Sequence, residues 1–167
     1  MTRKPNPLSL LRCSFLMLSL LMSFTPTAMA AARQNSKTTA KQPSSLTLRG
    51  KTPQETRKFL DAIRQVESSG NDKAVGDYGN AIGAYQIWRD YWQDAVEYDK
   101  SIQGKYEDCF TRNYAERIVV AYLNRYAPEG ASWETLARIH NGGPKGYKIK
   151  ATAEYWEKVK FELQKQK

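Results

Sequence analysis

"VESSGNDKAVGDYGNAIGAYQIW", residues 66–88, decides how the chain is read. It puts Glu67 at the end of an apolar run and Asp77 inside a glycine-rich turn. Upstream, "KTPQETRKFLDAIRQ" has the marks of a helix start. Thr52 suits the N-cap, Pro53 the first helical position and Glu55 the third, which together make a capping box. Phe59, Leu60, Ile63 and Val66 recur at helical spacing, and Gly70 is the expected stop. Glu67 follows Ile63 by one helical turn, so it projects from the buried stripe and not from the wet face. Downstream, Gly76, Gly79, Asn80 and Gly83 mark turns, and "AYQI" reads as a short strand-like piece. The expectation for residues 74–87 is a small, irregular β-hairpin.

Further along, "YWQDAVEYD" predicts a short helix and "TRNYAERIVVAYLNRYAPEG" a strong one, ended by Pro128 and Gly130. Ser132 can cap "SWETLARIHNGG", with Leu136 and Ile139 facing inward and Gly142 as the stop. Thr152 can cap "TAEYWEKVKFELQ", which would bury Trp156 and Val159. Several helices with one small hairpin make a mostly helical α+β domain.

The first thirty residues stand apart. Arg3, Lys4 and Arg12 form a basic start, "FLMLSLLMSF" is an apolar run too short to span a bilayer, and Ala28 and Ala30 have the spacing of a signal-peptidase site. Residues 1–30 therefore read as a secretory leader, with an uncleaved membrane anchor as the alternative. Residues 31–51 are rich in Ser, Thr, Gln and Lys and read as a flexible basic linker. Residues 52–167 form the one domain. The net charge of +9 falls mostly outside it: from Lys51 onward there are 19 basic and 17 acidic residues. That distribution argues against a nucleic-acid partner and suits a basic tail against an anionic envelope surface. With Cys13 in the leader, Cys109 is alone in the domain, either a small buried apolar residue or the site of an intermolecular bridge. No metal or cofactor is expected, and no residue pattern speaks to oligomeric state.

Acid catalysis of glycoside cleavage needs a carboxyl group that keeps its proton, commonly with a second that stays ionised. Glu67, on an apolar face and in the last turn of a helix, has two reasons to favour the neutral form. Arg64, one turn earlier, would oppose this if it paired with Glu67. Asp77, in a wet turn, has reason to stay charged. On spacing alone the better reading is a helix-terminal Glu and a turn Asp with no function, since helices often end in Glu-Ser-x-Gly and Asp is a normal turn residue.

The motifs add a resemblance. "ESSGN" followed by "GAYQI" resembles the Glu-Ser and Gly-x-x-Gln-Ile motifs of soluble lytic transglycosylase domains, and "VGDYGNAIGAYQI" is similar to the aspartate-bearing hairpin of goose-type lysozymes. Tyr91-Trp92, Asp108-Cys109, "YLNRYAP" and "ARIHNGGPKG" resemble invertebrate-type, destabilase-like lysozymes more closely. "TAEYWEKV" fits both, and the likeness runs from about Phe59 to Val159. The resemblance implies a lysozyme-like fold with the hairpin beside the catalytic helix. It implies Glu67 as the catalytic acid and Asp77 as the second carboxylate, with one residue of length difference from the invertebrate type. Gln86 and Asn141 would line the cleft, and the Tyr155 hydroxyl would approach Glu67. His140, the single histidine, falls beside the cleft and reads as a hydrogen-bonded structural residue. Tyr78 and Tyr85, on the hairpin, are candidates for stacking on a sugar ring. One departure is plain: the invertebrate-type proteins are disulfide-rich and this domain has one cysteine, so packing of Trp92, Trp133 and Trp156 must replace the staples.

The expected activity is cleavage of the β-1,4 bond between N-acetylmuramic acid and N-acetylglucosamine in peptidoglycan by an exported protein, periplasmic or secreted. Hydrolysis of the lysozyme kind is favoured by Asp77. The alternative is a lytic transglycosylase leaving 1,6-anhydro ends, and an alternative of another class is an inactive wall-binding module. An isopeptidase would need a serine paired with His140, and no serine has a spacing that singles it out.

Overall fold

The computed structural model describes residues 46–166. The expected leader and most of the expected linker lie outside the described residues. Among those described, no helix is long and apolar enough to cross a membrane.

Helix α1 spans Pro53–Ser68, and its capping box forms as the sequence predicts. The Thr52 hydroxyl accepts from the Glu55 backbone N–H, while the Glu55 carboxylate accepts from the Thr52 N–H. Phe59, Leu60 and Ile63 are fully buried, each adding about 1.5–3 kcal/mol of transfer free energy. The helix stops where Ser69 and Gly70 turn left-handed, at φ 55° and 78°.

Three two-residue strands follow, β1 (Val75–Gly76), β2 (Ala81–Ile82) and β3 (Ile87–Trp88), in an antiparallel sheet of order β1-β2-β3. The expected hairpin is thus a three-stranded sheet. "AYQI" is not a strand over most of its length. Ala84, Tyr85 and Gln86 form a tight turn in which the Gln86 N–H donates to the Gly83 carbonyl at 3.1 Å, and pairing begins only at Ile87. The Tyr106 hydroxyl braces this turn against the Ile87 carbonyl at 2.7 Å.

Helices α2 (Arg89–Tyr98), α3 (Arg112–Tyr126), α4 (Trp133–Gly142) and α5 (Thr152–Gln164) complete the domain. Helix α3 is buried nearly all round, through Ala115, Ile118, Val119, Ala121, Tyr122 and Leu123, as befits a central helix. It ends at Tyr126 because Ala127 precedes Pro128 and is pushed to an extended conformation. Ser132 caps α4 as expected, accepting from the Thr135 N–H. Thr152 does not cap α5. It is the first helical residue, and its hydroxyl faces the Gly146 and Ile149 carbonyls at 2.8 Å.

The domain also begins earlier than Lys51. Leu48 is fully buried, its N–H donates to the Thr56 hydroxyl, and the Asn124 side chain holds the backbone of Thr47 and Arg49. The apolar Leu46 and Leu48 turn the last residues of the expected linker into part of the core. Cys109 is buried and free, and burial, with Asp108 and Glu107 nearby, pushes its thiol up to about 12.

Candidate active site

Glu67 is carried by the last turn of α1, and its side chain is 18% exposed. The neighbouring Ser68 hydroxyl donates to the Ala84 carbonyl at 2.9 Å and pins this helix end to the turn before β3. Arg64 points away and pairs with Asp61 at 2.8 Å, so the pairing that would oppose a neutral Glu67 is not made.

Helices α4 and α5 reach Glu67 from the far side of the chain. The Tyr155 hydroxyl donates to Glu67 Oε1 at 2.7 Å, and His140 Nε2 stands 3.4 Å from the same oxygen. Burial first, then the Glu67 charge, holds the Tyr155 hydroxyl well above its ordinary range, so it remains a donor. His140 is itself buried, with Nδ1 3.0 Å from the Tyr91 hydroxyl. Burial raises the Tyr91 hydroxyl in the same way. Nδ1 thus faces Tyr91 and Nε2 faces Glu67, so the imidazole bridges the two side chains. Both contacts fall on Oε1, and no hydrogen bond among the described residues reaches Oε2.

In front of Glu67 lies a cleft of about 390 Å³, lined also by Asp77, Gln86, Trp88, Tyr91 and Asn141. Asp77 is exposed, and its carboxylate takes no hydrogen bond from the described residues, so it is wetter than the turn suggested. Asp77 and Tyr78 are both left-handed, at φ 46° and 55°, a costly pair of conformations for residues with side chains. Gln86 is left-handed too, and its side-chain amide donates to the Gly83 carbonyl at 3.0 Å. Its Oε1 passes so close to Gly76 that a Cβ there would stand 2.0 Å away. Glycine next to Asp77 therefore makes room for the glutamine that shares its cleft.

The two hairpin tyrosines are not a pair of sugar platforms. Tyr85 is fully buried, its hydroxyl 3.3 Å from the buried Glu116, which also pairs with Arg57 at 2.7 Å. No face of that ring can meet a ligand. Tyr78 is fully exposed at the tip and is not among the cleft residues. The structure instead adds Trp88, Tyr91 and His140 to the cleft. His140 has a direct contact with Glu67 that no local pattern could reveal, since the two lie on different helices. Among the described residues no group of three or more His, Cys, Asp and Glu side chains is placed to hold a metal ion.

A helical frame, a minimal antiparallel sheet and a cleft-lining glutamate at the end of the first helix define a lysozyme-like fold. A solved lysozyme from Tapes japonica is similar at a TM-score of 0.53 and 30% identity, over 62% of this chain and 86% of that one. The family model described as Destabilase matches residues 56–161, and the chain belongs to that family. A lysozyme from Magallana gigas is 38% identical over 85 residues, 49% of this chain and 60% of that protein. One from Ostrea edulis is 37% identical over 83 residues, 48% of this chain and 58% of that protein. The chain thus spans less than two thirds of the length of these two relatives.

Proposed function

We propose that the protein hydrolyses the β-1,4 bond between N-acetylmuramic acid and N-acetylglucosamine in peptidoglycan. The observation that carries this reading is Glu67 and Asp77 facing one cleft with opposite surroundings, one held and shielded, the other wet. The kinship with proteins named lysozyme supports it. In this scheme Glu67 engages Tyr155 through Oε1 and carries its proton on Oε2, from which it protonates the leaving oxygen. Asp77 supplies the second carboxylate, as nucleophile or as base for water. Gln86 and Asn141, which both line the cleft, position the sugar. We further propose that residues 1–30 direct export, to the periplasm or beyond, and that the basic tail favours anionic sacculi over nucleic acid.

Mass spectrometry of digested sacculi tests the chemistry, because reducing ends and 1,6-anhydro ends differ by one water. The expected products have reducing ends, and Glu67→Gln should lower their release at least about a hundredfold. Asp77→Asn should cost nearly as much. Anhydro ends, with an active Asp77→Asn variant, would assign the chain to the transglycosylases instead. Binding to sacculi with no cleavage at all would assign it to the wall-binding modules.

A further inference from the structure

Beside the cleft lies a second hollow of about 250 Å³, which reaches Tyr122 and Gly143. The two hollows share Trp88, Tyr91, His140 and Asn141, so they are one groove running past Glu67. A groove longer than a single compact pocket is shaped for a chain.

Trp88 stands where the two hollows meet. It is the outward residue of β3: Ile87 before it is 1% exposed, and Trp88 is 49% exposed. Alternation along the strand therefore aims the indole out of the core. Its partner across the sheet is Ala81, too small to cover it. Trp133 stacks on Phe59 and Trp92 packs edge-on to Tyr106, but Trp88 stacks on no ring among the described residues. An indole with an open face and an N–H available to a ligand, set in a groove, matches the apolar C–H face of a pyranose and the carbonyl of an N-acetyl group.

We propose that Trp88 is the sugar-stacking platform of this groove, binding an N-acetylated hexosamine unit of a glycan that occupies both hollows at once. The proposal rests on the glycosidase reading for its substrate class. It makes Trp88 a residue that sets preference for longer chains, and it takes the place sequence reasoning gives to Tyr85.

The test uses N-acetylglucosamine oligomers of increasing length and the indole N–H signals of the protein in solution. Trp88→Ala identifies the Trp88 signal by its loss. In Glu67→Gln, which should bind without cutting, that signal should shift on adding oligomer. Trp88→Ala should weaken binding of the longer oligomers about tenfold, and raise KM with little change in kcat, while Trp88→Phe should recover most of the loss. If sacculi are cleaved but Trp88→Ala binds oligomers as the parent does and the Trp88 signal stays still, the platform is wrong and the glycosidase reading stands. If nothing is cleaved but the signal shifts, the platform stands without the catalysis. Should Trp88→Ala fail to fold, the signal missing from the Trp88→Phe spectrum identifies Trp88, and whether that signal shifts or stays still in Glu67→Gln on adding oligomer decides the same question.

Discussion

The bond between Tyr155 and Glu67 shows how one side chain can assign roles to the two oxygens of another. A tyrosine held far above its ordinary titration range keeps its proton, so Tyr155 retains the O–H that it donates to Oε1. While Tyr155 donates to Oε1, a proton on Glu67 sits on Oε2. Tyr155→Phe keeps the ring and removes only this constraint. It should lower kcat on soluble glycan about tenfold, a fraction of the loss from removing the acid itself, with KM little changed. Equal kcat for the Phe variant would show that His140 alone orients the carboxylate. Much of this site is legible in the sequence, because Glu67, Gln86, Asn141 and Tyr155 lie in compact motifs. The burial of Tyr85 is not. It depends on how the turn before a two-residue strand packs against Glu116, a choice made by tertiary contacts and not by composition. Trp88 is hidden for a related reason, since neither flank of so short a strand announces which residue points out.

At the level of elements, local chemistry is legible in the sequence and crossings between elements are not. The caps at Thr52 and Ser132 can be read because donor and acceptor sit three residues apart. Thr152 has the right residue type for a cap, but its hydroxyl is engaged by the loop before α5 and by Arg138 from α4. The turn between β2 and β3 looks like a strand in sequence because its shape is set by one glycine pressed against a distant segment. Gly83 has φ 76°, and a Cβ on it would stand 2.3 Å from the Cys109 carbonyl oxygen. Its own carbonyl accepts from both the backbone and the side chain of Gln86. Gly83→Ala should therefore destabilise the domain by roughly 1–3 kcal/mol, measured as a lower urea midpoint at unchanged slope. It should also reduce glycan cleavage in the molecules that remain folded, because Gln86 loses its anchor. An alanine variant as stable and active as the parent would mean that the turn can shift away from Cys109 freely.

Across the whole molecule, stability comes without cross-links among the described residues. The one thiol among the described residues, Cys109, is buried and free, and aromatic packing stands in for disulfides. Phe59 stacks on Trp133 at 4.9 Å, and Tyr91 on Tyr122 at 3.5 Å. That substitution leaves a signature at alkaline pH. Tyr85, Tyr91, Tyr122 and Tyr155 all have hydroxyls raised by burial above the ordinary value of 10.0. In the folded state they keep their protons, whereas in the unfolded state they release them near pH 10. Above that point the unfolded chain binds fewer protons than the folded one, so stability falls as pH rises. The contribution is complete below about pH 10 and is lost as pH climbs toward the folded values, each group removing about 1.4 kcal/mol per pH unit. Urea midpoints between about pH 8 and pH 12 should hold level and then drop steeply. Phenolate absorbance from these four should appear together with unfolding, in one cooperative step. Titration of all the tyrosines near pH 10 with the fold intact would show that water reaches the rings, and that the aromatic core is looser than its close stacking indicates.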